Sequence, residues 1–385
     1  MECIMPATAY SRYLGKELDV RQLMVATRMI ADVNVASLEP SPEQRAWIRG
    51  DVLCACCGVS GAIVVREAKR QGRGAPIGQA HFRFPATADG QGDAHRPGCE
   101  FRSVDDAPTA PIGGSVDFNS ARTKETRLIR DLVCRGIEQR VISQTDIRQM
   151  RQWYFEHNTT GPRFRMLATP LSVQRTWEIL DLRGRNRSLA FSSAHVGLPG
   201  FDWDVATKRQ IAFDHLAFSD TDIRFHTTAE RDALTRLAQT YQGRDLPDVT
   251  AIQGAYRQAL AFARLATEYG QLDLPSFKPW EHAPQSPTIL AFAALMLFVS
   301  GGDMDGAITR LATILAAPPP TDLTLGNVIG LNPYRDYSLL LNAKAISDLV
   351  GAGGLNTDMP DMLAATQFRL RQLHQASQPP VPSPG

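Results

Sequence analysis

From residue 249 onward, apolar residues recur every three or four positions in five alanine- and leucine-rich stretches, 249–269, 287–299, 303–316, 336–350 and 362–375. Glycine and proline clusters separate them, so each predicts a helix and the region 244–376 an all-α domain. The stretch 289–299 is apolar on every face and closes at Ser300-Gly301-Gly302-Asp303. It is shorter than the ~18 residues a membrane span needs and predicts a buried helix, paired with 303–316 as a helical hairpin. The tail 377–385, SQPPVPSPG, lacks the means to bury a core and is expected to be disordered.

The middle of the chain, 119–243, carries a different pattern. After Ser120 as a possible N-cap, Ile129, Leu132, Val133 and Ile137 form one apolar stripe, which predicts a helix. Residues 146–157 predict a second. Alternating polarity at 164–166, 211–218 and 223–225 then predicts strands, so the region is expected to be mixed α/β. It is set off from the first third by 104–118, VDDAPTAPIGGSVDF, a segment without apolar periodicity. The fold class expected is α+β: an N-terminal module over 1–118, a mixed domain over 119–243, a helical domain over 244–376 and a tail.

Charge sharpens this division. The 385 residues hold 41 Lys+Arg against 40 Asp+Glu, a formal charge of +1. That balance excludes a uniformly basic coat protein, so an electrostatic partner must be met by a local patch. Residues 121–190 carry 14 basic and 7 acidic side chains, the strongest local excess. Arg127, Arg130, Arg183, Arg185 and Arg187 lie there with Trp153, Tyr154 and Phe155 between them, a mixture suited to phosphate contacts and base stacking on DNA or RNA. The first residues show no basic run followed by an apolar core, which with free cysteines leads us to expect a cytoplasmic protein.

The most specific chemistry lies in 53–101. Cys54-Ala55-Cys56-Cys57-Gly58 contains a C-x2-C followed by glycine, a spacing that lets two thiolates occupy adjacent corners of a tetrahedron. Residues 62–65 predict a short strand; His81 follows, and His95-Arg96-Pro97-Gly98-Cys99 completes the cluster. Zinc is the metal expected, held by Cys54, Cys57, His81 and Cys99, with His95 able to replace either of the last two. Four protein ligands make such a site structural, because no corner remains for an activated water.

A C-x2-C-Gly knuckle, a strand, a polar loop, His81-Phe82 before a late Cys99, and Glu125 on a helix after a linker together resemble the competence-protein CoiA-like family. The resemblance covers roughly residues 45–135. It implies a zinc-ribbon-like module ahead of a restriction-endonuclease-like domain that processes nucleic acid. The chain departs from that pattern at Phe84, where the family carries a second histidine, and in the absence of a Glu-x-Lys pair from the middle third. Asp181, Asp202, Asp204 and Asp214 are scattered, and His157, His195, His215 and His226 lack metal-ligand spacing. A zinc protein that binds or processes nucleic acid is therefore expected, with a scaffold binding a protein partner through its helical domain as the alternative.

Overall fold

The computed structural model describes residues 8–29, 39–66, 68–69, 76–78, 80–87, 92–96, 99, 101, 124–185, 190–214, 228–270, 287–322, 325, 334, 336–353, 355 and 357–378. The linker expected at 104–118, the strand at 223–225, His215, His226, Arg187 and the tail from 379 lie outside them. Two compact units emerge, each built from two separated stretches: Met1–Pro162 with Val249–Tyr337, and Arg163–Asp248 with Ser338–Gly385. They cut across the consecutive segments expected from composition.

The first unit opens with an antiparallel sheet in the order β2-β1-β3, from β1 (Thr8–Ser11), β2 (Lys16–Asp19) and β3 (Val52–Leu53). Between β2 and β3 lie α1 (Val20–Ala26) and α2 (Pro42–Asp51). Both helices start at capping boxes, Asp19 with Gln22 and Ser41 with Gln44, which satisfy backbone N–H groups that a first turn leaves unpaired. Then come β4 (Ile63–Val65), β5 (Ala68–Lys69), β6 (Pro76–Gly78) and β7 (His81–Arg83), pairing antiparallel as β4 with β7 and β5 with β6. The same unit continues into α3 (Lys124–Glu138) and α4 (Gln144–Thr160), the latter capped by Ser143 and Asp146.

The second unit begins at β8 (Arg163–Arg165) and holds α5 (Pro170–Arg185), α6 (Trp203–Asp214), α7 (Thr228–Tyr241) and β9 (Asp245–Pro247). Strand β9 pairs antiparallel with β8. The strand expected at 211–218 is corrected here: Ile211 to Asp214 form the last turn of α6. Asp202 accepts a hydrogen bond from the Val205 N–H at 2.9 Å and starts that helix. Ile211 and Ala212 are then buried beside Thr207 and Gln210, while Phe213 turns outward, so the period-2 look of Ile211 and Phe213 reflects no pleat.

The chain returns to the first unit as α8 (Gln253–Tyr269), α9 (Pro287–Val299) and α10 (Met304–Ala316). Helix α9 is its axle. Residues Ile289 to Leu297 are all buried, and α9 packs against α3, α4, α8 and α10, which explains why every face is apolar. No single helix among the described residues is long and apolar enough to cross a membrane. Gly301 and Gly302, at φ 61° and 83°, close α9: the Gly302 N–H donates to Leu297 O at 2.8 Å and the Gly301 N–H to Phe298 O at 3.1 Å. Asp303 caps α10, and the two axes turn by 115°, a corner in place of an antiparallel hairpin. Gly136 lets α3 approach its neighbours, since a Cβ there would stand 2.9 Å from Ile142 and 3.0 Å from Ile314. Helices α11 (Tyr337–Gly351) and α12 (Met359–Ala376) follow, and from Ser338 the chain belongs to the second unit.

A buried ion pair links the N-terminal sheet to α4. Arg151 bonds Glu17, whose other oxygen accepts from the Thr8 hydroxyl at 2.6 Å, with side-chain exposures of only 4% and 3% for the pair. The Gln144 amide accepts from the Glu17 N–H at 3.1 Å and donates to Leu325 O at 3.3 Å. Substitution Arg151→Met strands the Glu17 carboxylate and is expected to cost about 3–5 kcal/mol in denaturant unfolding. Adding Glu17→Gln should recover most of that loss, which a double-mutant cycle measures.

Candidate metal centre

Cys54 follows β3 directly, and the next residues fold back on themselves. The Gly58 N–H donates to Cys54 O at 3.0 Å, and the Cys54 N–H donates to Val59 O at 2.8 Å. Gly58 sits at φ 70°, the left-handed region that favours glycine, so the residue after C-x2-C is what permits the turn. The knuckle aims Cys54 and Cys57 into the core of the module. A second turn brings the other donors: the Ala94 N–H bonds Phe84 O at 2.9 Å, the Asp93 carboxylate accepts from the His95 N–H at 2.8 Å, and the Cys99 N–H bonds Arg96 O at 3.0 Å.

Cys54, Cys57, His95 and Cys99 converge with their donor atoms all within 4.8 Å of one another, and all four are buried. Cys54 Sγ lies 3.8 Å from Cys99 Sγ, and His95 Nδ1 lies 3.5 Å from the sulfurs of both Cys57 and Cys99. Three soft sulfurs and an imidazole nitrogen form a site for a metal ion. Among the described residues no other group of three or more His, Cys, Asp or Glu side chains is so placed.

Three of the four expected ligands are thus brought together, while His95 fills the fourth corner and His81 stays outside the group. The reason is strand parity. Along β7 and the next residue, Phe82 and Phe84 are buried and Arg83 is exposed, so the alternation that turns the phenyl rings inward carries His81 to the other side of the strand. Phe84 packs edge-on against the His95 imidazole, ring centres 5.2 Å apart, and the Phe101 ring lies 6.0 Å from it at a tilt of 46°. Both rings hold the ligand's orientation. The signal for His95 was in the sequence: His95-x3-Cys99 sets two donors at a short spacing, as C-x2-C does.

Electrostatics at the centre are those of crowded thiols. Burial pushes Cys54 and Cys99 far above the ordinary thiol range. Hydrogen bonds from Cys54 and Cys99 hold Cys57 far below it. Cys56 is buried beside them and its thiol also interacts with Cys99, but it is not one of the four. Cys134 is fully buried within α3 as a core residue.

The other candidates do not assemble. Asp202 caps α6, Asp204 accepts from Gln367 at 2.9 Å, and Asp214 pairs with Arg369 and accepts from Gln210 at 2.6 Å, so helix capping and ion pairing engage these acids. His195 accepts from the Ser192 N–H at 3.2 Å, and His157 stacks on Trp153. Trp153 also meets Phe298, and Phe155 is buried in the metal module's core, so these rings serve packing. Arg127 and Arg130 lie on α3 in the first unit, exposed and half-buried; Arg183 and Arg185 end α5 in the second, with side chains outside the described set.

Metal binding must displace thiol protons, so proton release is expected and affinity should fall as pH falls. Proton-release calorimetry in buffers of different ionisation enthalpy checks this. Metal content should vanish in Cys57→Ser and His95→Ala and persist in His81→Ala, read by elemental analysis.

The chain matches no family model, no curated protein and no solved structure, so its function rests on the residues and geometry just described.

Proposed function

We propose that the protein is a zinc-stabilised nucleic-acid-binding protein whose metal is structural. The closed, buried Cys3His group carries this reading. With Zn–S near 2.3 Å and Zn–N near 2.0–2.1 Å, a tetrahedral zinc site has S···S edges of about 3.8 Å and S···N edges of about 3.5 Å. Cys54 to Cys99 and His95 to Cys57 and Cys99 have those lengths, 3.8, 3.5 and 3.5 Å. Every corner is a protein donor, which leaves no position for an activated water. The role is to hold the module together, and a zinc of this kind contributes about 10–16 kcal/mol.

Nucleic acid is favoured as the partner by what this core displays. Arg45, Arg49, Arg66, Arg83 and Arg96 are all exposed on the module that the four donors hold together. Guanidinium groups suit phosphate oxygens, and a rigid module fixes their spacing. Binding is proposed and cleavage is not, because the acidic side chains that would hold a catalytic divalent ion are spread over caps and ion pairs. A second reading, a scaffold for a protein partner, is favoured by Phe368 and Leu373, which are 64% and 54% exposed on α12.

The zinc-loaded protein is expected to bind labelled oligonucleotides with an affinity that falls steeply between about 50 and 200 mM salt, measured by fluorescence anisotropy. A chelator should abolish both the binding and the near-ultraviolet dichroism of the module. Absence of binding at the lowest salt, with a stoichiometric protein partner recovered instead, would replace the nucleic-acid reading with the scaffold.

A further inference from the structure

Between α2 and β4 lies a cleft of about 270 Å³, lined by Pro40, Arg45, Ile48, Arg49, Ala62, Ile63, Val64 and Arg66. Its construction follows from the sequence. Arg45 and Arg49 stand four residues apart and therefore on one face of α2, with Ile48 buried between them in the chain. Strand β4 supplies an aliphatic wall, and Arg66 follows its last residue. The Gly61 N–H donates to Arg49 O at 3.2 Å, tying the loop before β4 to the end of the helix. The centre's own knuckle, residues 54 to 59, leads into that loop, so metal ligation and the cleft share one backbone path.

The three cations are not equivalent. Arg66 pairs with Glu39. Arg45 is anchored through Nε, which donates to Pro40 O at 2.9 Å, and its terminal nitrogens have no hydrogen-bond partner among the described residues. The Arg49 guanidinium has no hydrogen-bond or ion-pair partner among the described residues. A lip with surplus positive charge above a floor of Ile48, Ala62, Ile63 and Val64 is a two-part recognition surface. It fits a ligand with a compact, multivalent oxyanion at one end and a flat, weakly polar body at the other. A nucleotide has that division: phosphate oxygens for the forked donors of Arg45 and Arg49, and a base to cover the aliphatic wall. The volume is close to the lower bound of about 300 Å³ for small-molecule sites, room for one nucleotide unit and no more.

We propose that the α2–β4 cleft is a phosphate-recognition site that seats one nucleotide, with Arg45 and Arg49 as the phosphate ligands. The assignment rests on the nucleic-acid reading above and locates it on the metal module instead of the basic segment 121–190. The nucleotide is either a unit of a single strand or a free mononucleotide, and the phosphate chemistry is common to both.

The test uses the zinc-loaded full-length chain and a short 5′-labelled oligothymidylate, with anisotropy read across a salt series. Arg45→Glu/Arg49→Glu should lower affinity at least about tenfold and flatten the log K against log salt slope by about 0.7 for each phosphate that is no longer neutralised. Arg236→Glu, exposed on α7 of the second unit, should leave both unchanged. Metal content and unfolding midpoint show that each variant is folded; if the double reversal loses metal, Arg49→Gln is used, with a smaller loss of slope expected. Competition by thymidine monophosphate at matched phosphate concentration identifies a free nucleotide as the ligand, whereas competition only by unlabelled oligomer identifies a strand. Wild-type binding with no effect of the double reversal overturns the cleft and leaves the nucleic-acid reading standing. Failure of wild type to bind oligomer or mononucleotide at low salt overturns both. Equal competition by an oligoglutamate of the same charge overturns the phosphate assignment in favour of an acidic peptide.

Discussion

Three sulfur atoms and an imidazole nitrogen packed within 4.8 Å of one another in a buried core are the constraint on which the N-terminal module depends. Burial disfavours charge on Cys54 and Cys99, whereas hydrogen bonds from both favour it on Cys57. A bound cation would offset the repulsion among three thiolates brought this close. The elements around it are too short to persist alone. Strand β3 has two residues, β4 and β7 three each, and a two-stranded ribbon of that length is at best marginal in water. Their order follows from the donors that flank them.

The centre does not stand apart from the helices of its unit. Phe155 of α4 belongs to the same buried cluster as Cys54, Cys57, Phe82 and Phe84, and Arg151, one turn earlier, neutralises Glu17 beneath the sheet. One helix therefore supplies the module with both an apolar lid and a counter-ion. The two contacts differ in kind: the phenyl ring adds to burial, whereas the ion pair selects, since any other register of α4 would leave a carboxylate unpaired in the interior.

Helix positions were legible in the sequence wherever the apolar stripe was long, as at α3, α8, α10 and α12, because the 3.6-residue period repeats often enough there to leave no rival. Even α9, apolar all round, was identifiable from its length and its Gly-Gly-Asp stop. What failed was short-range: Ile211 and Phe213 mimic a strand over a few residues, and only the Asp202 cap, earlier in the chain, shows the helix they end. For the metal centre, spacing revealed the three cysteines. It preferred His81 and left His95 as the alternative, because which of the two faces inward depends on the pleat of β7, a property fixed by which phenylalanines the core accepts. Of the partition into units, only the change of texture after residue 243, close to the break between Asp248 and Val249, was legible. The rest is a matter of which helices meet, and α9 shows no preference in sequence between its neighbours before and after it.

That partition bears on how the chain is made. The first unit needs α8, α9 and α10 to surround α3 and α4, and these lie beyond the whole of 163–248. The second needs α11 and α12, the last helices described. A ribosome therefore releases the apolar faces of α3 and α4 well before α8, α9 and α10 exist. Neither unit can complete its core until the final third has been synthesised, so apolar surface of the nascent chain stays open until then.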